Sequence, residues 1–185
     1  MYKRQIQAKN NGIAILGGSF DPPHKGHLKI SLLSLKKLKI KKVLWLLTKK
    51  NPFKKKTYFS LKDRVKACKK ITKNYKKIEI HYLDGKIKSS RSIKAINYIK
   101  NKNKKSNIYF LMGSDNLLSF HKWVSWKKIL NLCTLVVFSR KGFDKKAKKS
   151  VIIRYLKNNN IIFVKNKKIN VSSTVLRLTY QKSKF

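Results

Sequence analysis

The stretch Ile13-Ala14-Ile15-Leu16-Gly17-Gly18-Ser19-Phe20-Asp21-Pro22-Pro23-His24-Lys25-Gly26-His27 decides the fold. Residues 13–16 are a short apolar run that reads as a buried first strand. Gly17 and Gly18 end it and let the backbone turn tightly. Pro22 and Pro23 keep the next residues out of a helix. A helical pattern then opens, with Leu28, Ile30, Leu32, Leu33, Leu35 and Leu38 as its apolar positions. His24 and His27 fall at i and i+3, on one face of that helix's first turn. The turn offers free backbone N–H groups and the positive end of the dipole, which suit a phosphate. Two imidazoles beside it can donate hydrogen bonds to phosphate oxygens. Together these features describe a site for nucleotide phosphates.

Outward from this stretch, apolar runs alternate with helical patterns. Strands are expected at 13–16, 43–47, 78–81, 107–112 and 134–138, with a further short run at 161–164. Helices are expected at 25–38, 61–72, 92–101, 125–130, 145–157 and 173–180. The order predicts an α/β fold, a Rossmann-like open parallel sheet with helices on both faces. Ligands of such sheets bind beyond the C-terminal ends of the strands. Residues 17–27, 113–123 and 139–143 all fall there.

The 185 residues suffice for one α/β domain with a core. No Pro/Gly/Ser-rich linker divides it. The reading is a polar N-terminal extension, residues 1–12, and a single domain, residues 13–185. The extension has no apolar segment of the signal-peptide kind, and the longest apolar runs are far too short to span a membrane. Cys68 and Cys133 are isolated, without metal-ligand spacing, and read as buried reduced thiols of a cytoplasmic protein. The net charge of +42 invites a nucleic-acid reading. Yet only six of the 48 basic residues are arginine: Arg4, Arg64, Arg91, Arg140, Arg154 and Arg177. The lysines are scattered along the chain among many Asn and Ile, the residues an AT-rich genome favours. Most of the charge therefore reads as compositional drift on solvated faces. It attracts anionic substrates, and no specific nucleic acid or membrane partner is expected.

Near the C-terminus stands Val171-Ser172-Ser173-Thr174-Val175-Leu176-Arg177. Ser172 or Ser173 would cap a last short helix, a second N-terminus for phosphate, with Arg177 one turn in as its clamp. With G-G-x-F-D-P-x-H-x-G-H at the other end, this resembles the nucleotidyltransferase superfamily marked by a His-x-Gly-His motif. Further segments resemble one branch, the bacterial nicotinate-nucleotide adenylyltransferases: residues 111–117 (LMGSDNL), 120–126 (FHKWVSW), 139–143 (SRKGF) and 45–54 (WLLTKKNPFK). The resemblance runs in order from about Ile13 to Arg177.

That resemblance implies transfer of AMP from ATP to nicotinate mononucleotide, with pyrophosphate as the second product. Implied catalytic residues are His24, His27 and Arg177. Implied ATP-binding residues are Gly17, Gly18, Ser19, Phe20, Gly26, Gly113, Asp115, Arg140, Ser172, Ser173 and Thr174. Asp115 would hold ribose hydroxyls, cap a helix, or both, and Arg140 would contact ATP or brace its turn. Implied acceptor-binding residues are Asn51, Lys54, Ser92 and Trp123, with Trp123 stacked on the pyridine ring and Trp126 its rival. Residues 90–96 (SRSIKAI) depart from the family pattern: Ser92 keeps a hydroxyl, while Arg91 and Lys94 replace Tyr and Asp. Arg91 is placed on the nicotinate carboxylate by its charge alone. No protein-built metal site and no organic cofactor are expected, and Mg²⁺ would arrive on ATP. Oligomeric state stays open. The rival readings are a phosphopantetheine adenylyltransferase-like enzyme and a basic RNA-binding module on the same fold.

Overall fold

The structure, a computed structural model, describes residues 11–49, 57–157, 160–166 and 173–182, with side chains described up to residue 179. Among these residues six strands form one sheet: β1 (Ile13–Gly18), β2 (Lys42–Leu47), β3 (Ile78–Tyr82), β4 (Ile108–Gly113), β5 (Thr134–Phe138) and β6 (Ile161–Val164). Their order is β3-β2-β1-β4-β5-β6, and every neighbouring pair is parallel. The chain steps outward from β1 to β3, then crosses back to β4 and steps the other way. β1 and β4 therefore flank the switch point, where a crevice opens above their C-terminal ends.

The strands are apolar on both sides because both faces are covered. Along β1, Ile13 and Ile15 enter one core and Ala14 and Leu16 the other. α1 (Lys25–Leu38) and α2 (Leu61–Thr72) contribute Leu38 and Cys68 to the second core. α4 (Ser92–Lys102) and α6 (Trp126–Leu132) supply Ile96, Ile99, Ile129 and Leu130 to the first. The expected Rossmann-like parallel sheet with helices on both faces is the observed one.

Two details depart from expectation. The helix foreseen over 145–157 is two helices, α7 (Asp144–Lys148) and α8 (Val151–Leu156). Ser150, at φ −68° and ψ 159°, is extended and restarts the helix. Ala147 and Ile152 are both fully buried, but on a continuous helix they would point about 140° apart. The break rephases the chain so that both reach the core. The short helices α3 (Asp84–Ile87) and α5 (Ser114–Ser119), and the 3-10 turn Phe120–Lys122, were not foreseen. All are too short for a periodic signal, and α3 and α5 start in turn-type residues, Asp84 and Ser114. The last helix, α9, spans Ser173–Lys182. Among the described residues no helix is long and apolar enough to cross a membrane.

Candidate active site

A cleft of about 520 Å³ opens over the C-terminal ends of the sheet. Its walls include Gly17, Gly18, Ser19, Phe20, His24, Gly26 and His27 from the β1–α1 region. Gly113 and Arg140 follow β4 and β5, and Ser173 and Thr174 come from α9. Arg91, Ser92 and Trp123 complete the set of expected residues that line it. Asp115 and Arg177 are not among its lining residues, and Asn51, Lys54 and Ser172 lie outside the described residues.

The two histidines form a capping box. His24 is the N-cap of α1, and its Nδ1 accepts from the Gly26 N–H at 3.1 Å. The Nδ1 of His27 accepts from the His24 N–H at 3.2 Å. Two helix-start donors are thus satisfied reciprocally, as in a Ser/Glu box. The consequence is chemical. With both Nδ1 atoms accepting, each neutral ring carries its proton on Nε2. The rings lie side by side, centroids 3.8 Å apart, so two N–H donors are presented together.

Burial, and then the Arg140 charge, lower the His24 pKa from 6.5 to about 4. His24 is therefore a neutral donor at physiological pH. Between about pH 6.5 and 4 the unfolded chain takes up a proton at this position that the folded chain refuses. Stability contributed here falls as pH drops through that window. Thermal melts should show the wild type losing melting temperature relative to His24→Ser from pH 7 to 4.5. A gap that is constant with pH would remove the basis for the neutral assignment.

The first turn of α1 is seated by the core beneath it. Trp45, fully buried on β2, donates its indole N–H to Ser31 Oγ at 2.8 Å. Ser31 in turn donates to the His27 carbonyl at 2.9 Å. The Phe20 ring stacks on Trp45, with centroids 4.9 Å apart, and touches His27 at 4.8 Å. Phe20 has φ 47°, a left-handed conformation that costs a non-glycine residue about 1–3 kcal/mol. Its ring, 2 % exposed between Trp45 and His27, holds it there.

On the opposite wall, Gly113 ends β4. A β-carbon there would collide with Oδ1 of Asp115, so glycine lets that carboxylate fold back over the strand end. Asp115 Oδ2 lies 3.4 Å from Arg140 Nη1. Its Oδ1 is buried and, among the described residues, lacks a hydrogen-bond partner. A buried carboxylate oxygen left open in this way is an acceptor awaiting a donor. The Arg140 turn is fixed from below. Its N–H donates to Asp144 Oδ1 at 2.9 Å, and Ser114 Oγ donates to the same oxygen at 2.7 Å. Burial raises the Asp144 pKa, but these hydrogen bonds outweigh it and hold the carboxyl below its usual range.

The N-terminus of α9 docks on the β1–α1 loop. Ser173 Oγ donates to the Pro22 carbonyl at 2.9 Å. Arg177, expected as a phosphate clamp, donates from Nη1 to the Asp21 carbonyl at 2.6 Å and from Nη2 to Thr174 Oγ1 at 3.0 Å. The Trp123 ring packs edge-on to Phe110 and tilted against Phe120, while Trp126 packs edge-on against Tyr155. Trp123, not its rival, reaches the cleft.

Sequence reasoning missed three charged residues that organise the rim. Asp21, 1 % exposed, accepts the N–H groups of Phe59 and Tyr58, both at 2.9 Å. Asp84 accepts from Thr48 Oγ1 at 3.0 Å and from the Lys49 N–H at 2.8 Å. Arg64, 2 % exposed, donates to four backbone carbonyls. Scarcity was the available signal. The chain has six acidic residues against 48 basic ones, and Asp21, Asp84, Asp115 and Asp144 each follow the C-terminal end of a strand.

Comparison with known proteins agrees with this geometry. The cytidylyltransferase-like family model matches residues 15–178. A probable nicotinate-nucleotide adenylyltransferase of Pelagibacter ubique (strain HTCC1062) is 45% identical over 175 residues, covering 95% of this chain and 97% of that protein. One from Aquifex aeolicus (strain VF5) is 33% identical, covering 86% and 98%. The structure of Plasmodium falciparum nicotinic acid mononucleotide adenylyltransferase complexed with NaAD superimposes with a TM-score of 0.75 at 19% identity, covering 91% of this chain and 83% of that one. With its histidine-capped helix at the switch point of a parallel sheet, the chain belongs to the nicotinate-nucleotide adenylyltransferase family.

Proposed function

We propose that the protein transfers AMP from MgATP to nicotinate mononucleotide, giving nicotinate adenine dinucleotide and pyrophosphate. The observation that carries this reading is the two-histidine cap. An acceptor phosphate oxygen attacks the α-phosphorus, and the bond from that phosphorus to the β-bridging oxygen breaks. A phosphate monoester has its second pKa at about 6, so the acceptor is already mostly a dianion at pH 7 and needs no general base. The protein's work is alignment and charge stabilisation. His24 and His27 donate through Nε2–H to the α-phosphate and the leaving group. The α9 start at Ser173 and Thr174 faces the β- and γ-phosphates, with Arg177 bracing it against Asp21. The open oxygen of Asp115 accepts a ribose hydroxyl, and Arg140 adds positive charge beside His24. The magnesium ion belongs to the substrate, held mainly by phosphate and water. A cytoplasmic setting goes with this reading and with the free thiols of Cys68 and Cys133.

The acceptor base would lie between Trp123 and the α4 start. Arg91 is the N-cap residue of α4 and lines the cleft. A guanidinium at a helix N-terminus suits the carboxylate that distinguishes nicotinate from nicotinamide. Pyrophosphate release with nicotinate mononucleotide, nicotinamide mononucleotide and phosphopantetheine tests the assignment, and a strong preference for the first is expected. A charge-assisted hydrogen bond contributes about 1.5–3 kcal/mol, so Arg91→Ala should raise KM for nicotinate mononucleotide about ten- to hundredfold. KM for nicotinamide mononucleotide should change little. An unchanged KM for the nicotinate compound would remove Arg91 from the acceptor site.

A further inference from the structure

Arg64 stands apart among the basic residues. It lies on α2, outside the cleft lining, and is 2 % exposed. Its Nη1 donates to the Ser19 carbonyl at 2.6 Å and to the Thr48 carbonyl at 2.9 Å. Its Nη2 donates to the Lys49 carbonyl at 3.1 Å, and its Nε to the Phe59 carbonyl at 3.2 Å. A planar fork with five N–H groups can meet four carbonyls in this way, and a lysine ammonium cannot.

The acceptors come from three places. Ser19 belongs to the β1 loop, which leads to His24. Thr48 and Lys49 leave β2. Phe59 leads into α2. Asp84 holds Thr48 and Lys49 from the other side, and Asp21 holds Tyr58 and Phe59. Ser19 and Thr48 line the cleft on its two sides of the β1–β2 junction. Arg64 bonds to all three segments, which neither carboxylate does.

We infer that Arg64 is a positioning residue for the transfer: it ties the β1 loop to the chain leaving β2 and entering α2, and so fixes the two walls of the cleft against each other. It acts through backbone carbonyls and touches no substrate. The inference rests on the proposed transfer for its kinetic consequence, but its structural consequence can be read separately. A misplacement of about 1 Å between reacting partners costs about 100-fold in rate, so the effect belongs in kcat.

The test uses Arg64→Lys, with amide hydrogen exchange and steady-state kinetics at a temperature where the variant is fully folded. Exchange of the Lys49, Tyr58 and Phe59 amides should speed at least about tenfold while the Ile15 and Leu44 amides keep wild-type rates. In the same sample kcat should fall about 100-fold, with KM for ATP within about threefold of wild type. Core amides that speed by the same factor, or a wild-type kcat in the folded variant, would show a merely structural arginine and overturn the inference. Native-state exchange on the wild-type protein is the second arm and needs no variant. The three amides should open as one unit with a shared denaturant dependence, and independent opening overturns the inference. A wild-type protein inactive on every acceptor would overturn the proposed function instead, and the exchange pattern would still decide whether Arg64 joins the walls.

Discussion

Serine in place of His24 should leave a folded protein whose turnover has fallen about 10³-fold. A single preorganised donor aimed at developing transition-state charge contributes about 10²–10³ in kcat, and the His24 ring also packs 3.8 Å from that of His27. The backbone N–H that holds the His27 ring through Nδ1 stays in the variant. Serine is chosen because it is among the best N-caps, whereas alanine would lose about 1 kcal/mol of helix stability. His24→Ser thus keeps an acceptor for the Gly26 N–H and removes the Nε2 donor. The cap and the chemistry are separated. Turnover of His24→Ser at saturating substrates, beside its melting temperature and a direct ATP titration, provides the check. ATP should still bind, because the α9 start and the Arg140 side of the cleft are untouched. A folded variant with near-normal turnover would show that the capping box is only a cap.

The fold was legible because its signals were local and strongly patterned. Each strand of the parallel sheet is a run of apolar residues bounded by turn chemistry, and the strands came within about two residues of their observed ends. The histidine pair was legible because i, i+3 spacing at a helix start has few geometric outcomes. What escaped was of a different kind. Arg64 and Asp21 act over separations of 45 and 38 residues, and no periodicity records such a contact. Arg64 stands in a helix full of lysines, where its burial is invisible until α2 is laid against the sheet. The contact of Arg177 with the Asp21 carbonyl spans 156 residues and arises only when α9 packs on the β1–α1 loop. Trp123 was expected at the acceptor with Trp126 as its rival, and no periodicity separates the two. The 3-10 turn before Trp123 and the left-handed Ser125 before Trp126, at φ 57°, aim one toward Phe110 and the cleft and the other toward Tyr155.

Asp21→Asn is the more demanding case, since it changes one atom and should cost about 3 kcal/mol. Both carboxylate oxygens accept backbone donors, Oδ1 from Phe59 and Oδ2 from Tyr58. An asparagine amide must turn its NH₂ toward one of those N–H groups, whichever way it is flipped. One donor pair is then opposed at a site 1 % exposed. The substitution also removes the negative charge facing Arg177, whose Nη1 lies 3.9 Å from Oδ2, and the charge that favours the protonated form of buried Arg64. Breaking a buried, hydrogen-bonded charge pair costs about 3–5 kcal/mol. For a chain of this size each kcal/mol moves the melting temperature by about 2–4 °C, so a drop of about 6–12 °C is expected at the lower cost. The loss should be uneven. The contacts given up join the residues before α2 and the start of α9 to the loop ahead of His24, so the rim should loosen before the sheet. Turnover of Asp21→Asn should therefore fall at temperatures below the onset of global melting. A melting temperature within about 2 °C of wild type, with normal turnover, would mean that water or a shifted loop satisfies these donors and that Asp21 does not organise the rim.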